Sequence, residues 1–453
     1  MTDGTMSGSR FLQFTRHAGM ALALAALLGG CSTLGGKHKA TTPTVGNRTP
    51  ILSHIANDAN PDPSIASLAV ALPPAQVNPE WDTAGGNATK NPGHLALADA
   101  PALAWTASIP GGSNKARLAA APVVGNGTLY VVDTAGTVNA FDAATGAKRW
   151  NYQLGVAKDL RSSAFGGGAT FADGKVYATS GSGDVVALDA ATGAQIWRVK
   201  PAGPLRGSPT VAFNAVYAMT QDNQIVALDL ADGHPLWQDA AASGEQGVFG
   251  VAAPAAGQGT VIAGYSTGEL YAYRYENGRV LWSDALARTS ISTSVSTLTD
   301  VDADPIIADG RVYALGQGGR MAAYELVTGQ RIWELSLAGI STPVIAGDWI
   351  FTLTDDARLL AIARATGRVR WVTQLQHYKN EKKHDNPVFW TGPVLASNKL
   401  WVVNSHGEVF SADVATGQPT LFTELKSAVS LPPIVANQTL YILTNDGKIR
   451  AYR

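Results

Sequence analysis

The chain has 453 residues, and its 34 basic and 35 acidic side chains leave a formal net charge of −1. Only 15% of residues are charged, so there is no field of one sign to draw in nucleic acid or an acidic membrane surface. The single cysteine excludes a disulfide framework and thiolate-rich zinc sites, while 45% hydrophobic residues and 48 glycines predict a substantial core interrupted by many turns.

Residues 1–30 read as a signal peptide. Arg10, Arg16 and His17 precede an apolar run of eleven residues from Ala18 to Leu28, too short to span a bilayer and of the length a signal core has. The run ends in Leu28-Gly29-Gly30-Cys31. Small residues before a lone cysteine at this place resemble the bacterial lipobox, which implies cleavage before Cys31 and lipidation of its sulfur. Several acyl chains on one residue anchor a protein stably where one would not. Ser32 follows, with no aspartate to suggest retention in an inner membrane. Residues 31–100 show no sustained period and are rich in Ala, Pro, Asn and Thr, so a flexible tether is expected, with a short helix near 51–59.

From 101 to 453 one unit recurs. Its first copy runs Gly127-Thr-Leu-Tyr-Val-Val, Asp133-Thr-Ala-Gly136, Thr137-Val-Asn-Ala-Phe and Asp142-Ala-Ala-Thr-Gly146-Ala-Lys-Arg-Trp150. This reads as strand, tight turn, strand, second turn, and a strand carrying tryptophan. The turn glycine stands four residues before the tryptophan in six copies: Gly146 and Trp150, Gly193 and Trp197, Gly233 and Trp237, Gly278 and Trp282, Gly329 and Trp333, Gly367 and Trp371. A seventh copy has Gly417 with Leu421 in the tryptophan's place, and an eighth, from Ile434, lacks its last strand. Spacings of 38 to 51 residues between these positions suit four-stranded propeller blades. The spare strand Leu103-Ala104-Trp105 supplies what the last unit lacks. The expected fold is therefore an all-β, eight-bladed β-propeller of four-stranded antiparallel blades, closed by an N-terminal strand joining the C-terminal blade. In each unit the glycine is expected to supply positive φ, the aspartates Asp142, Asp189, Asp229 and Asp413 to cap the turns, and the tryptophan to pack between blades with its N–H bonded.

The unit Ala-x-Asp-x-x-Thr-Gly-x-x-x-Trp resembles the repeat shared by the pyrroloquinoline-quinone (PQQ) dehydrogenases and the BamB family of outer-membrane assembly lipoproteins. The lipobox and tether extend the resemblance to the second group. That resemblance implies a non-enzymatic, periplasm-facing scaffold, anchored to the outer membrane through Cys31, that docks on BamA, the central subunit of the β-barrel assembly complex. Unfolded outer-membrane proteins are possible further partners. The PQQ dehydrogenases typically have an adjacent cysteine pair, a calcium held by carboxylates and amides, and a catalytic aspartate. Blades of about 45 residues leave few insertions from which to build such a pocket, so no cofactor, catalytic or metal residues are assigned. The alternatives are a PQQ-dependent quinoprotein and a lipoprotein module for another envelope ligand.

Leu298-Thr299-Asp300-Val301-Asp302 is similar to the family's Leu-Ser-Asp-Val-Asp run, whose aspartates are implicated in contact with BamA. An exposed carboxylate pair at Asp300 and Asp302 fits docking onto a basic partner. The pair also fits capping of its own loop, and with Asp304 it has the ligand type of a calcium site without the further oxygens of a known motif. The family's second patch, Leu-x-Leu-Arg-Gly, falls on Gly247–Pro254, where Val248 and Phe249 keep apolar character but no arginine stands. Either the docking surface differs in this chain or Phe249 serves as an apolar anchor. Leu205-Arg206-Gly207 has the right residues one blade further back. The mixed-charge run 376–387 reads as a solvated loop or as a contact for headgroups, cell wall or a second protein.

Overall fold

The computed structural model describes residues 59–113, 116–155, 167–241, 252–286 and 300–453. Among these, eight four-stranded antiparallel sheets follow one another around a ring. Blade 1 spans 123–153, blade 2 169–199, blade 3 205–240, blade 4 255–285, blade 5 306–335, blade 6 344–374 and blade 7 390–424. Blade 8 is composite: three strands from 434–452 are completed by Leu103–Ser108, which pairs with Lys448–Tyr452 and sets Trp105 opposite Ala451. The molecule is an eight-bladed β-propeller closed as the repeat predicts. At the seam the backbones of Ala102 and Arg453 exchange two hydrogen bonds, of 2.5 and 2.9 Å.

The two middle strands of each blade lie between neighbouring sheets and are apolar on both faces. Thr128–Val132 and Val185–Asp189 are buried along almost their whole length, as strands covered on two sides must be. The outer strand Gln195–Val199 alternates toward solvent.

What joins blade to blade is one repeated contact. The indole N–H of Trp105, Trp150, Trp197, Trp237, Trp282, Trp333 and Trp371 donates to a backbone carbonyl of the next blade at 2.8 to 3.2 Å. The accepting carbonyl lies in the turn that bears the next glycine, and the indole covers that glycine. A Cβ on Gly146, Gly193, Gly233, Gly278, Gly329, Gly367 or Gly417 would stand 2.5 to 2.9 Å from an indole carbon. The glycine is thus required twice, for its positive φ and for the close approach of the ring. The turn aspartates behave as expected: Asp142 Oδ1 accepts from the backbone N–H groups of Ala144 and Thr145 and from Thr145 Oγ1.

Residues 59–100 correct the expectation of a flexible tether running to 100. From Ala59 onward the chain is a strap packed on the propeller. It enters along the outer strand of blade 6, where Asp62 N–H donates to Val369 O at 2.8 Å, and then crosses the central channel. The inner strand of each blade has one edge turned to the channel with unpaired backbone groups, and the strap supplies partners for them. Trp81 and Val124 exchange two 2.8 Å bonds in blade 1, Phe171 N–H donates to Asp82 O in blade 2, and Ala256 N–H to Ala88 O in blade 4. Ile307 N–H donates to Thr89 O in blade 5, Ser397 N–H to Leu95 O in blade 7, and Asn437 N–H to Asn78 O in blade 8. Thr83 Oγ1 reaches Pro209 O in blade 3. Trp81, Leu95 and Leu97 are buried. Their irregular spacing follows a path across a ring rather than a helix or strand, so it leaves no period to read.

Candidate functional site

Antiparallel alternation places the connections between blades, and the turns between second and third strands, at one end of the ring. The strap lies toward the other end. The loop 300–305 is the connection into blade 5. Val301 N–H donates to Tyr265 O at 3.1 Å and Gln317 N–H to Asp300 O at 2.9 Å, pinning the loop between turns of blades 4 and 5. Val301 and Ala303 are buried, and they draw the alternating aspartates down into the channel mouth. The carboxylate pair is therefore not exposed as the sequence suggests: Asp300 is only 1% exposed and Asp302 is half-buried.

Leu205-Arg206-Gly207, one blade before the place of the second patch, also reaches this mouth. Arg206, at the start of blade 3 and 9% exposed, acts electrostatically on both Asp302 and Asp300, and its guanidinium donates to Gln221 O at 3.3 Å. Burial pushes Arg206 below its usual range against the pull of Asp302, Asp300 and Asp222. Burial likewise pushes the Asp302 carboxyl up to about 7, Asp300 adding repulsion and Arg206 opposing. Asp355, on a turn of blade 6, is raised by burial to about 6. The mouth thus sets Asp302, Asp300 and Asp222 about Arg206, with Asp355 of blade 6 acting on Asp302. Arg206 had a sequence signal in its Leu-Arg-Gly context; Asp355 had none.

Cys31, Val248 and Phe249 lie outside the described residues. The second patch rejoins them at Ala252 and Ala253, both buried, where Ala253 N–H donates to Asp304 Oδ1 at 2.7 Å. Asp304 is thereby engaged away from Asp300 and Asp302. Among the described residues, the metal-ligating types that converge as a trio within 4.8 Å are instead Asp229, Asp232 and His234, on a surface turn of blade 3. The 376–387 run is a hairpin, with Tyr378–Asn380 paired to Asp385–Pro387. It is stapled at its base by Glu381, which accepts from the backbone N–H groups of His377 and Tyr378.

The profile of the family described as "Outer membrane protein assembly factor BamB" matches residues 90–164 and 156–373. The outer membrane protein assembly factor BamB of Salmonella typhimurium is 32% identical over 357 residues, covering 78% of this chain and 88% of that protein. The chain belongs to the BamB family. The BamB of Escherichia coli is 29% identical over 355 residues, covering 77% of this chain and 88% of its own length. The crystal structure of BamB from Moraxella catarrhalis superposes with a TM-score of 0.67 at 21% identity, over 78% of this chain and 99% of that one. The quinohemoprotein alcohol dehydrogenase of Comamonas testosteroni superposes with a TM-score of 0.64 at 15% identity, over 83% and 81% of the two chains. That second likeness is one of fold alone. The BamB profile begins at Lys90, inside the strap, and takes in Arg206, Asp300, Asp302 and Asp355.

Proposed function

We propose that this chain is a non-enzymatic scaffold of the outer-membrane β-barrel assembly complex, docking on BamA through loops at the channel mouth. The observation that carries the reading is the family match, which takes in the loop 300–305 and Arg206. The local chemistry supports it: a half-buried Asp302, acted on by Asp300, Arg206 and Asp355, suits a basic segment of a partner and favours register over raw affinity. Val248 and Phe249, on the neighbouring loop, would add the apolar part of the contact. Cys31 would carry the lipid, hold the propeller at the outer membrane and turn it to the periplasm. Blade edges that hold unfolded barrel strands by backbone pairing are a further element of this reading. The strap favours a scaffold over a quinoprotein, because its own side chains occupy the channel beneath the mouth.

The test is affinity purification of the tagged full chain from mild-detergent membranes, beside Asp302→Lys. Asp300 is left intact because a lysine at a position so buried would disturb the loop itself. BamA recovered with the wild type and lost from a folded Asp302→Lys chain is the expected result. BamA absent from both would overturn the reading. BamA retained by both would keep the scaffold and remove Asp302 from the contact.

A further inference from the structure

Lys90 is a lysine of the strap with only 1% of its surface exposed. Its ammonium donates to Ala84 O within the strap and to Thr210 Oγ1 on the inner strand of blade 3, both at 2.9 Å. Thr210 Oγ1 donates onward to Pro254 O at 2.6 Å. The anion acting most strongly on Lys90 is Asp304, itself 8% exposed, with Asp82 of the strap second. Gly85 fits between the two charged side chains: a Cβ there would stand 2.9 Å from Lys90 Cδ and 3.2 Å from Asp304 Oδ2. Asp304 Oδ1 accepts from Ala253 N–H at 2.7 Å, and Asp304 N–H donates to Thr342 Oγ1 at 2.9 Å.

The placement gives this cluster a role beyond packing. Asp304 is the inner end of the loop carrying Asp300 and Asp302. Ala253 and Pro254 follow Val248 and Phe249 in the chain and begin the described part of that segment. Two buried groups of opposite charge, Lys90 and Asp304, therefore stand at the described bases of both loops, 252–257 and 300–307, attracting each other without a direct ion pair, and the cation belongs to neither loop but to the strap. Removing one partner of such a pair leaves an uncompensated buried charge, a strongly destabilising change, and the groups nearest to relieve it are the loop bases themselves.

We propose that Lys90 is a positioning residue for docking: through Asp304, Thr210 and Ala253 it lets the strap fix the bases, 252–257 and 300–307, of the two loops. This rests on the docking reading above, so the experiment separates the two. Full-length Lys90→Met, Asp304→Asn and the double variant are compared by hydrogen exchange, at 252–257 and 300–307 against the 408–424 hairpin of blade 7, and by recovery of BamA from membranes. Each single variant is expected to exchange about tenfold faster at both loop bases, the scale of one lost buried charge-assisted bond. Blade 7 should stay unchanged and BamA recovery should fall. The double variant, which removes both members of the Lys90–Asp304 couple and leaves only the half-buried Asp82, should regain part of both. If a single variant fails to fold, the double variant carries the comparison, with exchange at the loop bases expected above wild type. Unchanged exchange at both bases overturns the proposal, as does faster exchange with BamA recovery intact. Wild-type chain that recovers no BamA defeats the docking reading instead, and exchange alone then decides whether Lys90 holds the loops.

Discussion

Replacing Trp282 by alanine tests whether the blade-to-blade indole contact holds the ring. Trp282 is 8% exposed, its Nε1–H donates to Leu326 O of blade 5 at 2.8 Å, and its ring stacks on Tyr324 with centroids 5.5 Å apart. Beneath it lies Gly329, whose missing Cβ leaves the space that the indole fills. Truncating a core tryptophan costs about 3–5 kcal/mol in lost transfer energy and cavity, of which the hydrogen bond accounts for about 0.5–1.5 kcal/mol. Trp282→Phe, which keeps most of the surface and loses the donor, should therefore cost much less than the alanine. Leu281, next along the strand and 44% exposed, is the control, with an expected loss of about 1 kcal/mol or less. Midpoints of urea unfolding, followed by tryptophan fluorescence and by circular dichroism, rank the three variants. A Trp282→Ala midpoint no lower than that of Leu281→Ala would refute the reasoning.

Gly233→Ala, at φ +79° and with its new Cβ 2.7 Å from Trp197, should lower the melting midpoint more than Gly174→Ala, which meets the same φ restriction at +72° but no atom within 4 Å; equal losses would remove the indole from the account. Trp81→Ala, at a strap position 5% exposed, should cost about 3 kcal/mol or more, whereas no loss would mean that residues 59–100 are a tether after all. The pH dependence follows from Asp302. A carboxyl held up at about 7 keeps its proton when folded at pH values where the unfolded chain, near its ordinary value of about 3.9, has lost it. Stability should fall as pH rises from about 4 to 7, and Asp302→Asn should flatten that slope. It should not abolish it, because Asp82 and Asp355, both raised by burial to about 6, act in the same direction. Melting midpoints at pH 5 and pH 8 decide this, and an unchanged slope in Asp302→Asn would contradict it.

The ring was legible in the sequence because its determinants are local and repeat. A glycine at positive φ four residues before a tryptophan reports a turn, a strand and a docking contact at once, and six copies leave little choice of architecture. The strap was not legible, since its partners are edge groups of inner strands contributed by every part of the chain, and backbone pairing imposes no residue type. The burial of Asp300 is not legible in the sequence for a related reason. Leu298–Asp302 has the look of a polar loop until Val301 and Ala303 are placed against two blades. Arg206 lies two blades before Asp302 along the chain, and only the closed ring brings the two to one channel mouth.

Departures from the repeat are where the chain does something other than close a ring, and each has its own cause. Leu421 stands where seven blades carry a tryptophan, and it is 46% exposed. The next blade is the composite one, whose outer turn is replaced by the meeting of Ala102 and Arg453. No turn glycine or turn carbonyl exists there to receive an indole, so a tryptophan would gain nothing from that seat. Phe422 packs instead against Trp401 and Tyr452, with centroids 5.1 and 5.3 Å away. That irregularity belongs to closure. Lys90, Arg206 and Asp304 differ in kind. Each is a charged side chain placed where the fold alone would accept an apolar one, and buried charges of this sort are weak contributors to stability. Their arrangement therefore makes sense as the fixing of loops at one end of the ring, and it is there that substitutions should separate docking from folding.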